Sequence, residues 1–271
     1  MEKALLLTVS EDVSCMYAAR FVSSFFSEKS NVVVTLFHDI PKDHVKQGSE
    51  AEKQARKTLE KAHSLLLHRG FAPERIICKL ECRHAGTVKD IVAEGNAGKY
   101  DAVVLGRRGY AVFETFLASS VSRNMLDERI VFPLWICRRP DEKRKNVLLA
   151  ADGSASSLRV ADHVGFVLED EEEHSVTVLH IDTGNGTDAD AVVAETVTQL
   201  KNNHIPDERI EIRIIKSQRV ASTIIEQAAY HAAVAVGRVG QAKSGLNGWL
   251  VGSRTMKLLE CLEGSALWVS R

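Results

Sequence analysis

The chain lacks most of the features that would place it in a special class. No apolar run approaches the roughly 18 residues that mark a membrane span, so no membrane association is expected. Neither sign of charge dominates: 35 Lys and Arg stand against 36 Asp and Glu, a formal net charge of −1. Residues 1–142 carry 21 basic and 19 acidic side chains, and the remainder carries 14 and 17. Neither half has the basic excess of a nucleic-acid binder, so no nucleic-acid partner is expected. Cysteine is scarce and odd in number: Cys15, Cys78, Cys82, Cys137 and Cys261. Cys78 and Cys82 are not spaced as a CxxC pair, and no other Cys/His cluster accompanies them. They read as reduced, mostly buried thiols of a cytoplasmic protein, with no metal site. A Walker A loop and a nucleophile elbow are both missing. The first residues pass directly into an apolar strand-like run, without the layout of a signal peptide.

What the chain has is a second copy of itself. Residues 3–14 (KALLLTVSEDVS) read like residues 145–156 (KNVLLAADGSAS). Residues 73–76 (PERI) match 207–210 (DERI), 101–109 (DAVVLGRRG) match 232–240 (AAVAVGRVG), and 133–138 (PLWICR) match 266–271 (ALWVSR). The order is kept and the offset stays between about 130 and 142. A repeat that long is a whole domain rather than a solenoid unit. The 271 residues suffice for two domains with their own cores, and 45% hydrophobic with 26% charged residues suits a globular protein. The expected domains are 1–140 and 144–271, joined by the polar stretch 138–145 (RRPDEKRK).

Within each half, short β-branched apolar runs alternate with longer helical patterns. The runs are 4–9, 32–37, 76–80, 102–105 and 134–137, then 147–151, 176–181, 210–215, 233–236 and 267–269. Helical stretches lie at 14–27, 50–68 and 87–94. Continuous apolar strands suit parallel sheets covered on both faces, and strands alternating with helices imply βαβ crossovers. The expected class is α/β: two tandem, open, doubly wound parallel sheets of five strands, with helices on both faces. The acidic run 169–173 (EDEEE) reads as a solvated turn. Residues 183–188 (TGNGTD) read as a flexible connection close to a ligand.

Ligands of open parallel sheets bind beyond the carboxyl ends of the strands, where the strand order reverses. In the second half, Ala151, Asp152, Gly153 and Ser154 follow the first strand. Gly237 and Gly240 follow the fourth, and Gly252, Ser253, Arg254 and Thr255 open a helix. Glycines there admit close backbone approach. A Gly-Ser/Thr at a helix start offers N–H groups, a hydroxyl and the positive dipole end to a phosphate. Asp152 can accept hydrogen bonds from a sugar hydroxyl or a base amine. The plain alternative is that Gly153 and Ser154 form only a turn and a helix cap, and Gly237 only a strand-end turn. His38, His84 and His180 lie near strand or loop ends, where histidines are packed or solvated more often than catalytic.

Together these segments resemble the universal stress protein family, over nearly all of both halves. Nucleotide-binding members carry G-x2-G-x9-G-[ST] after the fourth strand and an Asp just after the first. The resemblance implies the strand order 3-2-1-4-5, ATP or AMP at the switch point with or without Mg, and pairing of domains through their last strands. In the first half Gly106 and Gly109 keep the spacing, but Ser119 replaces the third glycine and Ser10 the Asp. His38 is taken to occupy the second-strand position facing adenine, with Ile181 as its counterpart. The second half keeps Asp152, Ile181, Gly237, Gly240, Gly252, Ser253 and Thr255, but eleven residues rather than nine separate Gly240 from Gly252.

The expected function is regulatory: a stress-response protein binding an adenine nucleotide in the second half, with a degenerate first half as packing partner. The alternatives are a structural member acting through protein contacts and a slow ATP hydrolase. No residue is an evident general base beside the phosphate loop. The apolar last strands, each with a tryptophan (Trp135 and Trp268), suggest an intrachain pseudo-dimer, with a homodimer as a further option. Each tryptophan could equally be a core residue under a neighbouring helix.

Overall fold

A computed structural model describes residues 1–12, 16–41, 49–106, 111, 130–237 and 253–270. The chain divides into two compact units, Glu2–Arg139 and Pro140–Arg271, the latter taking in Met1. The first unit runs β1 (Lys3–Thr8), α1 (Met16–Phe25), β2 (Val32–Pro41), α2 (Glu50–His68), β3 (Ile76–Arg83), α3 (Thr87–Ala97), β4 (Ala102–Gly106) and β5 (Leu134–Cys137). Its strands pair in parallel in the order β3-β2-β1-β4-β5. The second unit runs β6 (Lys145–Ala151), α4 (Ala155–Leu168), β7 (Val176–Asp182), α5 (Ala189–Asn202), β8 (Ile210–Lys216), α6 (Val220–Gln227), β9 (His231–Gly237), α7 (Ser253–Cys261) and β10 (Ala266–Ser270). Its order is β8-β7-β6-β9-β10, again parallel throughout. Each half therefore has the doubly wound 3-2-1-4-5 arrangement.

Local sequence explains where the helices start. Ser49 caps α2 by accepting from the Glu52 N–H, and Ser154 caps α4 by accepting from the Ser157 N–H. Along α2, Ala55, Leu59, Ala62 and Leu66 recur at helical spacing and are buried against the sheet. The central strands are apolar on both faces: Leu5, Leu6 and Leu7 on β1, and Val147, Leu148 and Leu149 on β6, are at most 1% exposed.

Three expectations need correction, and one open alternative is decided. The runs 76–80 and 210–215 do not form strands covered on both faces. β3 and β8 each pair with one neighbour in their own half, and Ile77, Ile212 and Ile214 are exposed. The tryptophans belong to the cores of their own halves. Trp135 lies edge-on to Phe21 and stacked with Phe26, and Trp268 meets the ring of His163 on α4. The thiols are not mostly buried: of the described cysteines only Cys137 is, while Cys78 and Cys261 are exposed. The acidic run is not wholly solvated either, since Glu171 is 1% exposed.

That turn is held from inside by Arg209, at the start of β8. Its guanidinium donates to the carbonyls of His174 (2.7 Å), Leu168 (3.0 Å) and Glu171 (2.7 Å). The Leu168 and Glu171 carbonyls also accept backbone N–H groups within the turn, from Glu171 and His174, so the planar cation adds a second donor to each and supplies a donor to the His174 carbonyl. Arg209→Ala should lower unfolding free energy by about 2 kcal/mol in denaturant titration. Arg209→Lys should recover only part of it, because one ammonium cannot reach three divergent acceptors. A wild-type midpoint for the alanine variant would refute this account.

His163 generates a second expectation. Burial alone holds its imidazole down to about 3, against an ordinary value of 6.5. Below pH 6.5 the unfolded chain binds a proton that the native chain refuses. Native stability therefore falls as pH drops from about 6.5 towards 3, by about 1.4 kcal/mol per pH unit at most. His163→Gln should flatten that slope between pH 6.5 and 5 in urea titrations. An unchanged slope would show that other groups carry it.

Candidate functional site

In the second half, β6 ends in a turn built by its own side chains. Gly153 has φ of +76°, and a Cβ there would stand 2.8 Å from Val192, so a side chain is excluded both by conformation and by space. One Asp152 carboxylate oxygen accepts from the Ser154 N–H at 3.0 Å, and the Asp152 N–H donates to the Ser157 hydroxyl at 3.2 Å. The Ser154 hydroxyl accepts from the Ser157 N–H at 3.1 Å. The plain reading of Ser154 as a helix cap thus holds. Asp152 keeps one oxygen uncommitted, and its side chain is exposed.

Beside this turn lies a cavity of 230 Å³ at the carboxyl ends of β6, β7 and β9. Leu179, Ile181, Val220, Ile224, Val236 and Leu258 give it apolar walls, and Asp152, Thr183, Asn185, Thr187, Arg254 and Thr255 give it polar ones. His180 also lines it, with its Nδ1 donating to the Ala151 carbonyl at 2.9 Å. Thr255 is buried and Arg254 exposed, both in the first turn of α7. The loop 183–188 is not simply flexible. Side chains of Asp182, Asn185 and Asp188 accept from backbone N–H groups two or three residues on, and Gly184 and Gly186 supply positive φ.

Of the sequence-derived candidates, Ala151, Asp152, Ile181, Gly237, Arg254 and Thr255 line this one cavity. Gly153 and Ser154 shape its edge without lining it. Ser253 opens α7, while Gly240 and Gly252 lie outside the described residues, as do Gly109 and Ser119 of the first half. Sequence reading missed Val220 and Ile224. Their signal was present: two apolar residues at helical spacing, just after an edge strand, on the crossover helix that borders the strand ends.

Gly237 has a reason to be glycine that involves no ligand. A Cβ on it would stand 2.5 Å from the Ser157 nitrogen and 2.7 Å from the Ser156 carbonyl carbon. The end of β9 therefore packs directly on the first turn of α4.

The first half has its own cavity, of 570 Å³, at the ends of β1 and β2. Its histidine was misaligned by sequence. His38 Nδ1 donates to the Val9 carbonyl at 2.6 Å, as His180 does to Ala151. The strand registers agree, Thr8 standing opposite Phe37 and Ala151 opposite His180. His38 is therefore the counterpart of His180, and Asp39 is the counterpart of Ile181. Asp39 is 8% exposed, ion-paired to Arg83 at 2.6 Å, and accepts from the Thr87 hydroxyl at 2.9 Å. His84 is exposed, as a solvated histidine should be.

With this geometry in place, comparison with solved structures is informative. The chain aligns with a universal stress protein from Archaeoglobus fulgidus at a TM-score of 0.67 and 18% identity, over 99% of this chain and 96% of that one. The fold is that of the universal stress proteins. A putative universal stress protein from Pseudomonas aeruginosa aligns at a TM-score of 0.54 and 14% identity, over 99% and 93% of the two chains. A universal stress protein solved in complex with cAMP aligns at a TM-score of 0.40 and 20% identity, over 47% of this chain and 97% of that one. No family model matches the sequence, and no curated protein matches it. The universal stress protein fold survives here on a sequence that shares less than a fifth of its residues with the full-length matches.

Because Gly237 faces backbone rather than a movable side chain, Gly237→Ala should cost about 1–3 kcal/mol of stability in denaturant titration. A variant as stable as the parent would mean that α4 shifts freely and that the glycine serves only a ligand.

Proposed function

We propose that the second half binds an adenine nucleotide, ATP or AMP with or without Mg, and that occupancy regulates the protein. The observation that carries this reading is the cavity at the switch point, where an apolar slot meets a free carboxylate oxygen and a helix start. Ile181, Val220 and Ile224 would flank the base. Asp152 would accept from a base amine or a ribose hydroxyl. The first turn of α7, with Arg254 and Thr255, would face phosphate, where the helix dipole and backbone N–H groups favour an anion. Ser253, with Gly240 and Gly252 before it, belongs to the same proposed phosphate cradle by its place in the sequence.

A regulatory role is preferred over hydrolysis. The sequence offers no evident general base beside the proposed phosphate cradle. A role through protein contacts alone is the competing reading, and calorimetry separates the two. The proposal extends to a cytoplasmic stress-response protein. Its two halves would pair through the apolar strands Leu134–Cys137 and Ala266–Ser270, with a homodimer as the next level of assembly.

Calorimetry of the full chain with ATP and with AMP should show one site per chain. Asp152→Ala should weaken it by about 1–3 kcal/mol, the worth of a buried hydrogen bond to a carboxylate. Silence with both nucleotides, together with no thermal shift, would end this proposal. Two nucleotides per chain would contradict its assignment to one half.

A further inference from the structure

The first-half cavity differs from its counterpart in the polar atoms that it offers. Asp39 stands where the second half has Ile181, and by strand register Arg83 stands where it has Ser217. Ser10, Glu11 and Asp12 replace the Asp152-Gly153-Ser154 turn. Asp39 uses Oδ2 for both Arg83 and Thr87, which leaves Oδ1 as an unused acceptor on a side chain 8% exposed. His38 is 9% exposed, and donating from Nδ1 to Val9 leaves Nε2 of the neutral ring as an acceptor. The Thr8 hydroxyl is fully buried without a partner, on a residue that lines the same cavity.

Among the described lining residues three carboxylates, Glu11, Asp12 and Asp39, face one cation, Arg83. Arg83 is already neutralised by Asp39 at 2.6 Å. The two neutralise each other, and the unused acceptors Asp39 Oδ1 and His38 Nε2 remain in want of donors. Val9, Ile40 and Ile91, each at most 5% exposed, add apolar surface between these groups.

We propose that this first-half cavity is a binding site for a small alkyl cation rich in N–H donors, an amine or guanidine of the polyamine kind. One ammonium or guanidinium donates to Asp39 Oδ1 and His38 Nε2. The alkyl stem lies on Val9, Ile40 and Ile91. A second cationic end meets Glu11 at the mouth, where screening by salt is strong. The site is independent of the nucleotide reading of the second half, because it uses none of that half's residues.

The test is calorimetry of the full chain with spermidine and agmatine, and with choline as a cation that has no N–H donor. Spermidine or agmatine should bind once per chain, and choline at least about tenfold more weakly, the worth of a charge-assisted hydrogen bond. Asp39→Asn, checked for a native melting curve, should lose about tenfold or more in affinity. Should Asp39→Asn fail to fold, the mouth variant Glu11→Gln decides. It should bind several-fold more weakly, with a shallower salt dependence. No heat with either amine, equal binding of choline, or unchanged affinity in the folded variants would each overturn the proposal.

Discussion

In both halves a histidine of the second strand donates its Nδ1 proton to a carbonyl at the carboxyl end of the first strand. His38 does so to Val9 and His180 to Ala151. That carbonyl sits where the parallel ladder stops, because its neighbours diverge at the switch point. Left without a donor it would be desolvated at the floor of a cleft. The histidine closes the ladder, ties the ends of two strands together, and fixes which following residue turns into the cavity. Everything that distinguishes the two sites is built on this shared floor: Ile181 or Asp39 beside the ring, and Asp152-Gly153-Ser154 or Ser10-Glu11-Asp12 at the turn.

From one floor come two chemistries. The second half surrounds an apolar slot with one free carboxylate oxygen and a helix start, which suits a planar base with an anionic tail. The first half puts a buried ion pair and further acceptors in the corresponding place. A buried carboxylate with an unused oxygen is costly unless a donor reaches it. Duplication of a fold permits such divergence. Sheet order and core packing are kept by the apolar strands, while some residues at the carboxyl ends of the strands differ between the halves, as Asp39 and Ile181 do.

The glycines divide in the same way. Gly153 is needed for backbone conformation and for space beside Val192, and Gly237 for the approach of α4 to β9. Both stand at a cavity edge, yet each has a packing reason for lacking a side chain. A glycine near a ligand site is therefore weak evidence for the ligand until its neighbours are known. Asp152 carries more weight, since half of its carboxylate remains uncommitted after the turn is made.

The internal repeat, the ten strands, the parallel α/β class and the Asp152-Gly153-Ser154 turn were legible in the chain itself. Each is a local pattern: apolar β-branched runs, helical periodicity, a cap followed by a helix. What lay beyond the sequence was anything set by register between distant segments. His38 was matched to Ile181 rather than to His180, a slip of one residue, and in a strand one residue exchanges the two faces. That slip hid Asp39, whose partner Arg83 lies 44 positions away on the next strand. Val220 and Ile224 reach the cavity only because α6 crosses back over the sheet from β8. The turn at Glu171 is tied through its main-chain carbonyl to Arg209, 38 positions later. Local propensity and periodicity are encoded within a few residues. Which side chains share a cavity is decided by the long-range pairing of strands, and that exists only in the folded sheet.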